Sequence, residues 1–222
     1  MNRLIFTLLV LLVGTTITDG QELPKAEKQL DSLERPKEGV PYFFFDDFSD
    51  NRNGWPLYST ADYEMAITSG KLRIKGISDK LNYRGWRILE KLDLTKDFSC
   101  SVSVTWTGGA NNNGFGLEYC SNNSSELYNL FIISSSGHYE IIKYRDKWIT
   151  PKPWTASSFI NKGNAANVLL IEKKGDYIEF SINEHLVDKF PCDHDYGNMF
   201  GVRVLSNQTV EFDDFELQGI AK

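Results

Sequence analysis

Phe98-Ser99-Cys100-Ser101-Val102-Ser103-Val104-Thr105-Trp106 is a two-residue alternation. Cys100, Val102, Val104 and Trp106 fall on one side, and Ser99, Ser101, Ser103 and Thr105 on the other. Successive side chains of a strand point to opposite faces, so this stretch predicts a strand with one face in a core and one toward water. The same pattern extends in both directions. Upstream, Tyr63–Thr68 and Lys71–Gly76 flank Ser69-Gly70, a tight-turn signal. Segment 42–49 opens with Phe43-Phe44-Phe45, and 86–94 reads as a further strand. Downstream, a turn of Gly, Ala and Asn at 108–114 leads into a strand at 115–120. More strands are predicted at 127–134, 137–144, 167–173, 176–182, 186–190, Met199–Leu205 and 210–217. Ile182-Asn183-Glu184-His185 reads as a two-residue hairpin turn, since Asn tolerates positive φ. Short strands with Gly-, Asn- and Ser-rich turns at regular intervals predict an all-β sandwich or barrel. No repeat of 20–50 residues is visible, which disfavours propellers and solenoids.

Bulk properties agree. A chain of 222 residues suits one large β domain. Aromatic residues reach 13%, and aromatic side chains pack well on a pleated surface. The net charge is −6 with no basic stripe, which excludes nucleic acid as the expected partner.

Residues 1–20 stand apart. Asn2 and Arg3 make a cationic start, 4–13 is apolar and uncharged, and 15–20 is small and polar. That is the layout of a secretory signal peptide, too short to span a membrane. Cleavage before Gln21 is expected, giving a periplasmic or extracellular protein with no membrane span after cleavage. Residues 21–40 are charged, with Leu23, Ala26, Leu30 and Leu33 at helical spacing before Pro36 and Gly39, and predict a linker or short helix. Residues 41–222 are expected to form the β-sandwich domain. Of the three cysteines, Cys100 is in step with the core-facing set. Cys120 is out of step with Phe115, Leu117 and Tyr119. Alternation therefore puts Cys100 inside and Cys120 outside, with no disulfide between them.

Several segments in order carry a resemblance. They include Phe45-Asp46-Asp47-Phe48 with Gly54-Trp55, Gly70-Lys71-Leu72-Arg73-Ile74, Asn113-Gly114-Phe115-Gly116-Leu117, Asn167-Val168-Leu169-Leu170-Ile171 and Phe212-Asp213-Asp214-Phe215. Together, over about 180 residues from Tyr42 to Gly219, they resemble bacterial laminin-G-like jelly rolls of the concanavalin A-like lectin/glucanase superfamily. The resemblance implies an antiparallel two-sheet β-sandwich whose first and last strands are neighbours. It leaves activity open, because that fold hosts lectins, glycosidases and adhesion modules alike.

Three constellations bear on chemistry. Glu211-Phe212-Asp213-Asp214-Phe215-Glu216 resembles the Glu-x-Asp-x-x-Glu pattern of laminarinase-type glycosidases, which implies Glu211 and Glu216 as a catalytic pair around Asp213. Retaining hydrolysis needs two carboxyl groups about 5–5.5 Å apart. An acidic outer face beside inward Phe212 and Phe215 explains the same letters without catalysis. The pairs Asp46/Asp47 and Asp213/Asp214 offer carboxylates for a structural calcium if their strands adjoin, or else are solvated acids beside a bulge. Tyr144, Trp148 and Trp154, in one loop-rich stretch stiffened by Pro151 and Pro153, could stack sugar rings, with Asn112 adding polar contacts from a rim turn. Large aromatics also serve simply to pack a long connection. The first expectation is an exported, non-catalytic module that recognises a carbohydrate or cell-surface polymer. The alternatives are a glycoside hydrolase using Glu211 and Glu216, and a structural or protein-binding domain without a sugar site.

Overall fold

A computed structural model describes residues 39–78, 82–122, 127–193 and 197–222. The expected signal peptide and nearly all of the 21–40 lead-in lie outside the described residues. The described strands, in chain order, are β1 (Pro41–Asp46), β2 (Tyr58–Ser59), β3 (Tyr63–Thr68), β4 (Lys71–Gly76), β5 (Asn82–Ile88), β6 (Phe98–Gly109), β7 (Phe115–Ser121) and β8 (Leu127–Ile133). They continue as β9 (His138–Arg145), β10 (Lys147–Ala156), β11 (Asn167–Lys174), β12 (Tyr177–Ile182), β13 (His185–Pro191), β14 (Met199–Leu205) and β15 (Gln208–Ile220).

The strands form two antiparallel sheets. One runs β13-β12-β11-β6-β15-β4-β3-β2, with β1 also on β15, and the other runs β10-β9-β8-β7-β14-β5. The alternating segment is the long β6, in the middle of the nine-stranded sheet. Cys100, Val102 and Val104 are fully buried, while the serines between them are half-buried. Phe131 of the six-stranded sheet meets Phe180 of the other at 5.2 Å between ring centres, and Phe98 meets Phe200 at 5.6 Å. Edge-to-face pairs of this kind close a sandwich core.

The hairpin turns follow their letters. Asn183 and Glu184 both have positive φ (49° and 68°), as do Ser69 and Gly70 (53° and 71°), which is the geometry that matches strand twist in a two-residue hairpin. First and last strands adjoin: Asp46 of β1 stands opposite Phe215 of β15. Phe212 and Phe215 both face the core, because a register shift between Asp213 and Glu216 absorbs the extra residue at Asp214, whose φ is 47°. The first Phe-Asp-Asp-Phe segment does not copy this. β1 ends at Asp46, Phe45 is exposed, and Phe48 reaches the core from a turn.

Two sequence expectations are corrected. The stretch with Pro151 and Pro153 is a strand, β10, not a loop. β10 is the outermost strand of its sheet, where a residue without an N–H costs no ladder bond on its free side. Its register against β9 shifts twice, between Ile149 and Lys152 and between Lys152 and Thr155, and these shifts bracket the prolines. Cys120 is inside, not outside. It has a φ of 46°, and the β7–β14 register advances three residues on β7 for two on β14 between Glu118 and Ser121. This bulge breaks the alternation and turns both Tyr119 and Cys120 into the core.

All three cysteines are free thiols. Burial pushes the thiols of Cys100 and Cys120 well above their ordinary range, which suppresses the reactive thiolate. In the native protein only Cys192 should react with a thiol reagent such as DTNB. Titration of one thiol before denaturation and three after it is the expected count, and two or more reactive native thiols would contradict the buried placement.

Candidate functional site

The outer face of the six-stranded sheet carries an aromatic and cationic strip. β10 and β9 set Trp148 opposite Tyr144, and β8 sets Tyr128 opposite Tyr144. Because these residues share a cross-strand row, their side chains stand on one face. Trp148 and Tyr144 meet edge to face at 5.0 Å, and Tyr144 and Tyr128 lie 5.9 Å apart. Trp148 is 54% exposed. Further across the sheet the guanidinium groups of Arg84 and Arg203 sit over the Tyr128 ring at 5.3 and 5.4 Å, and Arg84 lies 5.9 Å from the Trp86 ring. Such stacking suits a planar, weakly hydrated cation. Trp148 and Trp86 belong to the two edge strands, so the strip crosses five inter-strand steps, roughly 24 Å.

Beneath the cations lies Glu118, whose side chain is 1% exposed. Its Oε2 accepts a hydrogen bond from Arg203 Nη1 at 3.2 Å, and its Oε1 stands 3.0 Å from Arg84 Nη2. β14 places Arg203 directly beside Arg84 of β5, and Gly201, opposite Glu118, contributes no side chain between them. Burial pushes the Arg203 guanidinium below its ordinary value; Glu118 opposes this and the neighbouring Arg84 charge adds to it. An apolar depression of about 220 Å³ adjoins the strip, lined by Asn82, Leu130, Ile142, Trp148, Thr150 and Leu205.

The residues expected for sugar contact divide into two groups. Tyr144 and Trp148 belong to the strip. Trp154 and Asn112 line a separate depression of about 340 Å³ with Ser134, Ser136 and His138. Trp154 lies between Lys152 and Thr155, which pair with Ile141 and Tyr139, so it sits about four β9 residues from Trp148, roughly 13 Å. Sequence reasoning passed over Arg84, Glu118, Tyr128 and Arg203. One signal was present: Glu118 and Arg203 are lone charges inside otherwise apolar strands, Phe115-Gly116-Leu117-Glu118-Tyr119 and Phe200-Gly201-Val202-Arg203-Val204. Charges in such places are paired or functional.

Glu211, Asp213 and Glu216 lie together on the outer face of the nine-stranded sheet, with Phe212 and Phe215 inward. Glu211 stands opposite Thr105 and Glu216 opposite Ser101. Four β6 residues separate those partners, so the two backbones are roughly 13 Å apart, against about 5–5.5 Å between carboxyl groups in a retaining pair. Asp213 is 3.7 Å from Lys71 Nζ, and Glu216 accepts from Gln218 Nε2.

The four aspartates considered for calcium have separate tasks. Asp46 is buried, and its carboxylate accepts from the Phe48 N–H (2.8 Å), Asn53 Nδ2 (2.8 Å) and Trp55 Nε1 (2.7 Å). Those donors take both of its oxygens. Asp47 accepts from the Ser49 N–H and Asp213 from the Asp214 N–H. Burial raises the Asp214 carboxyl, and the like charges of Asp213, Asp47 and Glu216 add to the effect. Among the described residues, no three His, Cys, Asp or Glu side chains stand in an arrangement that could hold a metal ion.

Two larger depressions, about 540 and 590 Å³, flank Lys173 on the other sheet. Lys173, which lines both, donates to Thr95 O, and Lys174, which lines the second, donates to Glu172 and Glu179. The strip on the six-stranded sheet combines exposed Trp148 and half-buried tyrosines with Arg84, whose side chain is 20% open to solvent, and is the stronger candidate.

The described strands form an antiparallel two-sheet β-sandwich, and solved structures share this fold. A Bacillus subtilis protein described as having a galectin-like fold superposes with a TM-score of 0.57 at 12% identity, over 84% of this chain and 99% of that one. The CBM2 module of the evolved Dit protein of Lactobacillus casei BL23 phage J-1 does so with a TM-score of 0.57 at 10% identity, over 83% and 98%. A xylan β-1,4-xylosidase from Bacillus halodurans matches with a TM-score of 0.59 at 11% identity, over 78% of this chain but only 38% of the enzyme. No protein-family model and no curated relative matches the sequence. Among the described residues no helix is long and apolar enough to cross a membrane.

Proposed function

We propose that the protein is an exported, non-catalytic module that binds a glycan or cell-surface polymer across the outer face of its six-stranded sheet. The observation that carries this reading is the exposed Trp148 on half-buried Tyr144, a pair that runs into Tyr128 and the paired arginines. Sugar rings present C–H faces to aromatic rings and hydroxyls to charged groups. A site of this kind needs mostly apolar area with a few oriented polar groups. Here the aromatics stand on paired strands, so little ordering cost accompanies binding. The neighbours that are carbohydrate-binding modules or domains of a xylosidase support the reading at the level of fold. Within the superfamily, the order of short motifs favours the laminin-G-like group. The apolar leader at 4–13 favours periplasmic or extracellular placement, with the sandwich domain at 41–222.

The test is affinity electrophoresis of the chain from Gln21 through gels holding a panel of polysaccharides. Retardation by one polymer that is left uncut is the expected result. Trp148→Ala should weaken that retardation at least tenfold with the far-UV circular dichroism unchanged. Trp154→Ala in the same gels separates the strip from the rim depression. If Trp148→Ala migrates like the parent in the retarding gel, the strip is not the binding surface. Release of reducing sugar that disappears in Glu216→Gln would support the hydrolase instead.

A further inference from the structure

The charges on the strip do not balance. Two guanidinium groups, Arg84 and Arg203, share one carboxylate, Glu118. Among the described residues Glu140 is the other acid on this face. The β7–β14, β7–β8 and β8–β9 registers put it three strands from Arg203, roughly 14 Å away, and burial raises its carboxyl. The cations are also incompletely bonded. Arg203 is only 7% exposed, and its Nε, like Arg84 Nε, is closed to solvent and has no hydrogen-bond partner among the described residues. The contact between Arg84 and Glu118 Oε1 is an ion pair without hydrogen-bond alignment, and the hydrogen bond recorded for Arg84 is a 3.8 Å contact to Met199 Sδ. Arg145, close by, shows what a structural arginine does in this sheet. Its guanidinium donates to Tyr128 O, Tyr144 O and Asn129 Oδ1. Arg84 is not used in this way, and 20% of its side chain is open to solvent beside Tyr128 and Trp86.

Resting on the glycan-binding reading above, we propose that the ligand of this face is acidic: a polymer containing uronic acid residues, whose carboxylate pairs with Arg84 where that side chain is open to solvent while its rings lie on Tyr144 and Trp148. A guanidinium fork matches a carboxylate with two parallel hydrogen bonds, and a partly desolvated site strengthens them. Glu118 holds Arg203 and leaves one positive charge for the ligand. Non-specific attraction offers no substitute, because the whole chain carries a net charge of −6 and repels a polyanion.

The experiment compares retardation of the chain from Gln21 by polygalacturonate, alginate, fully methyl-esterified polygalacturonate, dextran sulfate and neutral polymers including xylan and β-glucan. Retardation by a uronate polymer, falling at least tenfold on esterification, is expected. Arg84→Gln leaves the neutral Glu118–Arg203 pair in place. It should lower uronate affinity about tenfold with little change in melting temperature, and Arg84→Lys should recover only part of the loss. Equal retardation by polygalacturonate and its methyl ester would overturn the acidic assignment, as would retardation only by neutral polymers or only by dextran sulfate. In the first two cases the glycan-binding reading would stand. Retardation by none of the polymers would overturn both.

Discussion

Glu118→Gln is expected to destabilise the protein by about 3–5 kcal/mol, the usual cost of removing one partner from a buried ion pair. The side chain is 1% exposed and is the counter-charge to two cations, one of them nearly as deeply buried. A glutamine keeps the shape and can still accept from Arg203, but it leaves two like charges side by side in a poorly solvated place. For a chain of this size each kcal/mol is worth roughly 2–4 °C, so melting should fall by about 10 °C. Urea titration followed by circular dichroism checks the value, and a loss below about 1 kcal/mol would show that the network is solvated rather than buried. Replacing the whole network, Glu118→Leu with Arg84→Met and Arg203→Met, should cost less than Glu118→Gln alone, because no charge is then stranded. That result would show a network that stability does not require, which fits a role in binding better than one in folding.

Asp46→Ala is the second large effect, at about 3–5 kcal/mol, from the loss of three hydrogen bonds to one buried carboxylate. Hydrogen bonds to a charged group contribute about 1.5–3 kcal/mol each, and bonds sharing an acceptor do not add fully. The loss would leave the Trp55 indole N–H unpaired in a side chain only 2% exposed. It would also release the Phe48 N–H. Phe48 has a φ of 50°, a conformation that bulky residues avoid and that costs about 1–3 kcal/mol unless its surroundings hold it. Here Asp46 and the packing of Phe48 on Trp55, 5.3 Å between ring centres, hold it. The measurement is urea unfolding with Trp fluorescence, and Asp46→Asn should fall between the parent and the alanine variant. If Asp46→Ala matched the parent in stability, Asp46 would be free for another task, including a cation.

Much of the fold was legible in local letters. Period two marks a half-buried strand wherever it is unbroken, as from Phe98 to Val104, and Asn183 and Ser69-Gly70 announce turns whose backbone geometry few other residues accept. Legibility failed where a tertiary constraint overrode the period. Cys120 faces inward because of a bulge whose purpose lies in the partner strand β14. Pro151 and Pro153 sit in a strand because β10 is at an edge, and edge position is a property of the sheet order.

The candidate site divides in the same way. Tyr144 and Trp148, four residues apart, could be grouped from the chain alone, but only as part of a loop; the β9–β10 register sets them opposite each other. Arg84, Glu118, Tyr128 and Arg203 belong to four strands, and the β5–β14, β14–β7 and β7–β8 registers bring them together. Sequence therefore settled the all-β character, the alternating core positions and the hairpin turns, because each depends on neighbours a few residues away. Which charges meet, which aromatics share a face, and where Trp154 parts from Trp148 were decided only by strand order and register, because those contacts join residues up to about 120 positions apart in the chain.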